Sequence, residues 1–158
     1  MLDLAILVFS LATAPQNPCA LSNQSMIERI LGGPPVPVPA SEMGEETAPG
    51  CLWATSHREH EIKLTIWSKD ELPVLNLPDA ASYFKQLEAE ASAQGRIERL
   101  PSIAAPAFVS GLIPGAARKA SGTIAVLKGD HLYVFDFTQT IAGDERTFVA
   151  DFMRKARD

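Results

Sequence analysis

The chain reads as an α+β domain, an antiparallel sheet with helices packed on one face in the order α-β-β-α-β-β-β-α. Three observations predict it. Apolar residues recur at helical spacing in three separate segments. Two pairs of β-rich runs are joined by short polar turns. Strands and helices do not alternate one for one, as a doubly wound parallel sheet would require.

The first element is apolar, Leu4-Ala5-Ile6-Leu7-Val8-Phe9-Ser10-Leu11, followed by the small residues Ala12-Thr13-Ala14. That pattern predicts a signal peptide over residues 1–14 and a single exported domain over 15–158. The run falls short of the roughly 20 helical residues that cross a bilayer, so no permanent membrane span is expected. Cys19 follows Pro18, so the lipid-attachment pattern is missing. A secreted or periplasmic location gives the two cysteines, Cys19 and Cys51, one evident use, a disulfide. It would close a loop of about 33 residues, worth roughly 3.5–4 kcal/mol on the chain-entropy model.

A short helix is expected after Ser22 as N-cap, with Met26, Ile27, Ile30 and Leu31 on its apolar face and Gly32-Gly33 ending it. Pro34 to Pro39 and the acidic stretch from Ser41 to Gly50 form a surface connection. Cys51–Thr55 and Glu61–Ser68 read as a hairpin across the polar turn Ser56-His57-Arg58-Glu59-His60. Pro78-Asp79 opens the clearest helix, residues 80–94, with Ala80, Tyr83, Phe84, Leu87 and Ala91 in one stripe. Arg96–Leu100 is a plausible strand and Phe108–Ile113 a weaker one. Ser121–Leu127 and Leu132–Thr138 form a second hairpin across Lys128-Gly129-Asp130-His131. A last helix begins near Asp144-Glu145 and buries Phe148, Val149, Phe152, Met153 and Ala156.

Composition narrows the function. Of 158 residues, 46% are hydrophobic and 21% charged, which suits a packed globular core and argues against disorder. The net charge of −5, without a basic block, argues against nucleic acid as a partner. Three histidines leave little for a metal centre, and no cofactor is expected. His57 and His60, flanked by Glu59 and Glu61, are the one cluster with metal-ligating residue types, but zinc wants three or four converging ligands. No Gly-x-Ser-x-Gly elbow or phosphate-loop ending is present, and no catalytic residue is assigned. Trp53 and Trp67 fall on adjacent hairpin strands. They either share a sheet face as a binding surface or pack beneath a helix.

Several of these pieces together resemble the small exported actinobacterial proteins of unknown function, many of them lipoproteins. The likeness rests on Pro18-Cys19-Ala20-Leu21 opening a helix that ends Leu31-Gly32-Gly33-Pro34. It rests also on Gly50-Cys51-Leu52-Trp53 beginning a strand, and on Gly115-Ala116-Ala117 before the hairpin Ala125-Val126-Leu127-Lys128-Gly129-Asp130. The resemblance implies a PsbP-like α+β fold and a paired cysteine, and it carries no catalytic residue. The expectation is therefore an exported, non-enzymatic module binding a protein or envelope component, in one form an immunity or inhibitor protein. The competing reading is a small metal-dependent hydrolase using the His57/His60 loop.

Overall fold

A computed structural model describes residues 17–36, 38, 48–95, 97–112, 118–141 and 143–157. The expected signal peptide and most of the acidic connection lie outside the described residues. A one-turn 3-10 helix, Pro18–Leu21, leads into α1, Gln24–Leu31. The hairpin β1 (Gly50–Ala54) and β2 (Glu61–Trp67) follows, then α2 (Ala80–Ala93), then β3 (Ile97–Arg99), β4 (Ala107–Gly111), β5 (Lys119–Lys128) and β6 (His131–Ile141). The last helix is α3, Glu145–Lys155.

All six strands form one antiparallel sheet in the order β1-β2-β6-β5-β4-β3. The α+β class and the antiparallel sheet are as expected. Both weaker strand candidates are strands, so four strands separate α2 from α3 where the expected order has three.

One expectation fails: the helices occupy both faces of the sheet. Side chains of α1 and α3 pack with Ile62, Leu64, Val109, Ile124, Val126, Phe135 and Phe137. Phe84 and Ala91 of α2 pack with Phe108, Ala125, Leu132 and Val134, the alternate residues of the same strands. Topology gives the reason. The chain must travel from β2 to β3 at the far edge, and α2 is the segment that crosses over. The strands allow it because their central residues are apolar on both faces, as in Leu132-Tyr133-Val134-Phe135.

The first face is rich in aromatic residues. Phe148 of α3 meets Trp53, Phe135 and Phe137 edge-on, and Phe152 meets Phe135 and Tyr133. Such edge-to-face pairs add about 0.5–1.5 kcal/mol each beyond the area they bury.

Local signals mostly place the elements correctly. Asp79 caps α2, its side chain accepting from the Ser82 N–H at 2.7 Å. Gly32 ends α1 in the left-handed region, and the Glu28 carbonyl accepts from both Gly32 and Gly33. The cap of α1 is Asn23 instead of Ser22, because Ser22 donates to the Cys19 carbonyl and is held in the preceding turn. Glu145 does more than favour a helix N-terminus. It is only 4% exposed and accepts from the Thr140 hydroxyl and the Gly143 N–H.

Candidate functional site

Cys19 and Cys51 are joined, with their Cα atoms 5.5 Å apart. The bond fastens the Pro18–Leu21 turn to β1, an edge strand. Its two ends differ in environment: Cys19 is exposed and Cys51 is 1% exposed within the core.

The two tryptophans do not share a face. Trp53 lies opposite Ile62 in the register and packs edge-on against Phe148 beneath α3. Trp67 lies on the other face, edge-on to Tyr83 of α2 at 5.6 Å. Their separation follows from the register. Trp53 pairs with Ile62, and Trp67, five residues further along β2, falls on the alternate face. A joint Trp53–Trp67 surface does not form.

The histidines are also dispersed. His57 is exposed, with φ of 68°, in the turn between β1 and β2. His60 donates from Nδ1 to the Gln139 carbonyl at 2.6 Å, which ties the turn to β6. His131 opens β6, at the opposite end of that strand. Among the described residues, no group of three or more His, Cys, Asp or Glu could hold a metal ion.

A feature without a sequence motif emerges from the register. Ser110 pairs with Thr123, Thr123 with Asp136, and Asp136 with Lys63. Directly paired residues share a face, so these four side chains form one row across β4, β5, β6 and β2. At the usual strand spacing the row runs about 14 Å. All four residues are half-buried, and Thr123 donates to Asp136 at 2.6 Å. The row lies on the face that α2 covers one register step away, over Ala125 and Val134. Burial first, then the carboxylates of Glu90 and Asp136, push the Tyr83 phenol above its ordinary value, so α2 and the row feel each other electrostatically.

Backbone strain gathers at the same end of the sheet. Among the described residues, six that are not glycine have positive φ: His57, Arg58, Asn76, Leu112, Arg118 and Gln139. All but Asn76 sit in the β1–β2 turn, beside the β4–β5 connection, or at the irregularity of β6 near Ala120 and Gly122. The register brings these places together, since Ala54 pairs with Glu61, Glu61 with Thr138, and Gly111 with Gly122. Such conformations cost on the order of 1–3 kcal/mol each and concentrate at functional sites. The β1–β2 turn is secured by a bond from the Thr55 N–H to the His60 carbonyl and an ion pair between Arg58 and Glu61, and the β6 irregularity by a bond from the Gln139 N–H to Ser121 Oγ.

Inspection of the sequence misses this row because no two of its members are neighbours in the chain. The available signal was Asp136, a charge inside the apolar run Tyr133-Val134-Phe135-Asp136-Phe137. Lys63 gave a second, as a charge on the alternate face of β2. Compared with family models, curated proteins and solved structures, the chain matches none of them. Among the described residues, no helix is long and apolar enough to cross a membrane.

Proposed function

We propose that the chain is an exported, non-enzymatic binding module that engages a protein or cell-envelope component through the Ser110–Thr123–Asp136–Lys63 row and the strained turns beside it. The observation that carries the reading is the coincidence of that half-buried polar row with the positive-φ end of the sheet. One register step further along, under α2, the same face is apolar, so the row marks where the helix cover ends. The Cys19–Cys51 bond supports export, because disulfides persist in oxidising compartments. The likeness to small exported actinobacterial proteins belongs to the same proposal.

The test places a photo-crosslinking residue at Thr138, which is exposed beside the row, and at exposed Arg154 on α3 as a control. Expected are crosslinks from position 138 in the extracytoplasmic fraction, lost on Lys63→Ala with Asp136→Ala. Recovery of the protein in the cytosol with two titratable thiols overturns the export reading. Identical crosslinks from positions 138 and 154 overturn the binding face.

A further inference from the structure

We propose that Cys19 is a thiol-exchange site: the Cys19–Cys51 bond is opened and closed by a thiolate that engages Cys19 Sγ, with Cys51 as the shielded sulfur. A thiolate displaces one sulfur of a disulfide by attacking the other, approaching opposite the sulfur that leaves. Attack on Cys19 comes from outside the molecule, since Cys19 is exposed and Cys51 lies inward, among the side chains beneath α1 and α3. Attack on Cys51 would have to come from within that core, where the residue is 1% exposed. Access therefore selects Cys19. The departing Cys51 sulfur carries negative charge into apolar surroundings, which disfavours it and makes the exchange slow.

The incoming thiolate forms a bond to Cys19 Sγ, the Cys19–Cys51 bond breaks, and Cys51 takes the electron pair and then a proton from water. A second thiolate attacks the incoming group's sulfur in the mixed disulfide and releases Cys19. The protein gains two thiols, and two equivalents of the partner thiol become its disulfide.

Opening the bond is a local event. The Pro18–Leu21 turn contributes no fully buried residue: it is held by the Cys19 N–H to Asn17 Oδ1 and the Ser22 hydroxyl to the Cys19 carbonyl within it, by one bond from Lys155 of α3 to the Leu21 carbonyl, and by Leu21 resting half-buried against the core. By contrast α1 is held by Met26, Ile27, Ile30 and Leu31, all buried in the core. Exchange at Cys19 thus removes the covalent link between the turn and β1 and leaves the helix and sheet in place. This inference does not depend on the binding face proposed above.

The experiment treats the oxidised full chain with cysteamine in one arm and a reduced dithiol protein in the other. Each reaction is quenched in acid, and the mixed disulfides are mapped by peptide mass spectrometry. Expected is at least a tenfold excess of adducts on Cys19 over Cys51, with the far-UV circular dichroism of the opened protein unchanged. A higher rate per thiolate in the protein arm identifies a protein as the better partner, and a higher rate with cysteamine identifies a small thiol; both support the proposal. Less than a tenfold excess on Cys19, or an excess on Cys51, overturns it. As a second measurement, Cys51→Ala leaves Cys19 free and Cys19→Ala leaves Cys51 free. In the folded variants Cys19 should react with an aromatic disulfide reagent at least tenfold faster, and equal rates would refute the shielding.

Discussion

The two faces of the sheet are built differently. Beneath α1 and α3 the surface is closed by interlocking aromatic rings, with Phe135, Phe137, Phe148 and Phe152 fully buried. Beneath α2 the apolar cover ends partway along, and the same strands then present Ser110, Thr123, Asp136 and Lys63. Both faces carry a buried apolar cluster, and only the α2 face continues into a half-buried polar row. The contrast shows that one strand can serve both ends: in β6, Phe135 and Phe137 close the core while Asp136 between them faces the open side.

The largest effect that tests this contrast is on the closed face. Phe148→Ala removes a ring that meets three other aromatics, and core Phe→Ala substitutions cost about 3–5 kcal/mol. Urea unfolding should show that loss as a lower midpoint with an unchanged slope. A loss under about 1 kcal/mol would mean that the closed face is not the main source of stability.

Next is the disulfide. Replacing both Cys19 and Cys51 by Ala should lower stability by about 2–4 kcal/mol, because the unfolded chain regains the entropy of an open loop. The variant should remain folded, since the core beneath α1 is intact. Thermal unfolding of oxidised and substituted protein measures the difference, and an unfolded variant would show that the staple holds the closed face itself.

The open face should respond in the opposite sense. Thr123→Val deletes the hydrogen bond to Asp136, and with Ser110→Ala it should cost only about 0.5–1.5 kcal/mol while removing most of the position-138 crosslinking. A larger loss of stability with crosslinking intact would make the row a structural element.

The smallest effect concerns Glu71, before α2. Burial opposes ionisation, yet hydrogen bonds from the Ser68 hydroxyl and N–H, with help from its own backbone and from His131, hold its carboxyl below the ordinary 4.5. Because the folded value is the lower one, the contribution is present above the unfolded value and is lost as pH falls through the folded value. The urea midpoint of the wild type should therefore fall more between pH 6 and pH 3 than that of Glu71→Gln. Equal falls would remove Glu71 as a contributor.

Local chemistry made much of the fold legible. Asp79 opening α2, Gly32 closing α1, Gly129 at positive φ in the β5–β6 turn, and the apolar stripes of all three helices are short-range signals carried by adjacent residues. The cysteine pairing was legible too, since with two cysteines in the sequence each has one possible partner. The face on which each helix packs was less so. The clue lay in strands such as Leu132-Tyr133-Val134-Phe135, apolar on both sides, which need cover from above and below.

What the residues determined by themselves is therefore the inventory: which segments are helices, which are strands, which ends are capped. Only the tertiary structure decided that α2 crosses alone, that Trp53 and Trp67 part company, and that Asp136 stands between Thr123 and Lys63. The reason is physical. Capping and periodicity act within a few residues of the chain, whereas sheet order and register are set by pairing strands far apart in sequence, and a shift of one residue turns every side chain to the other face.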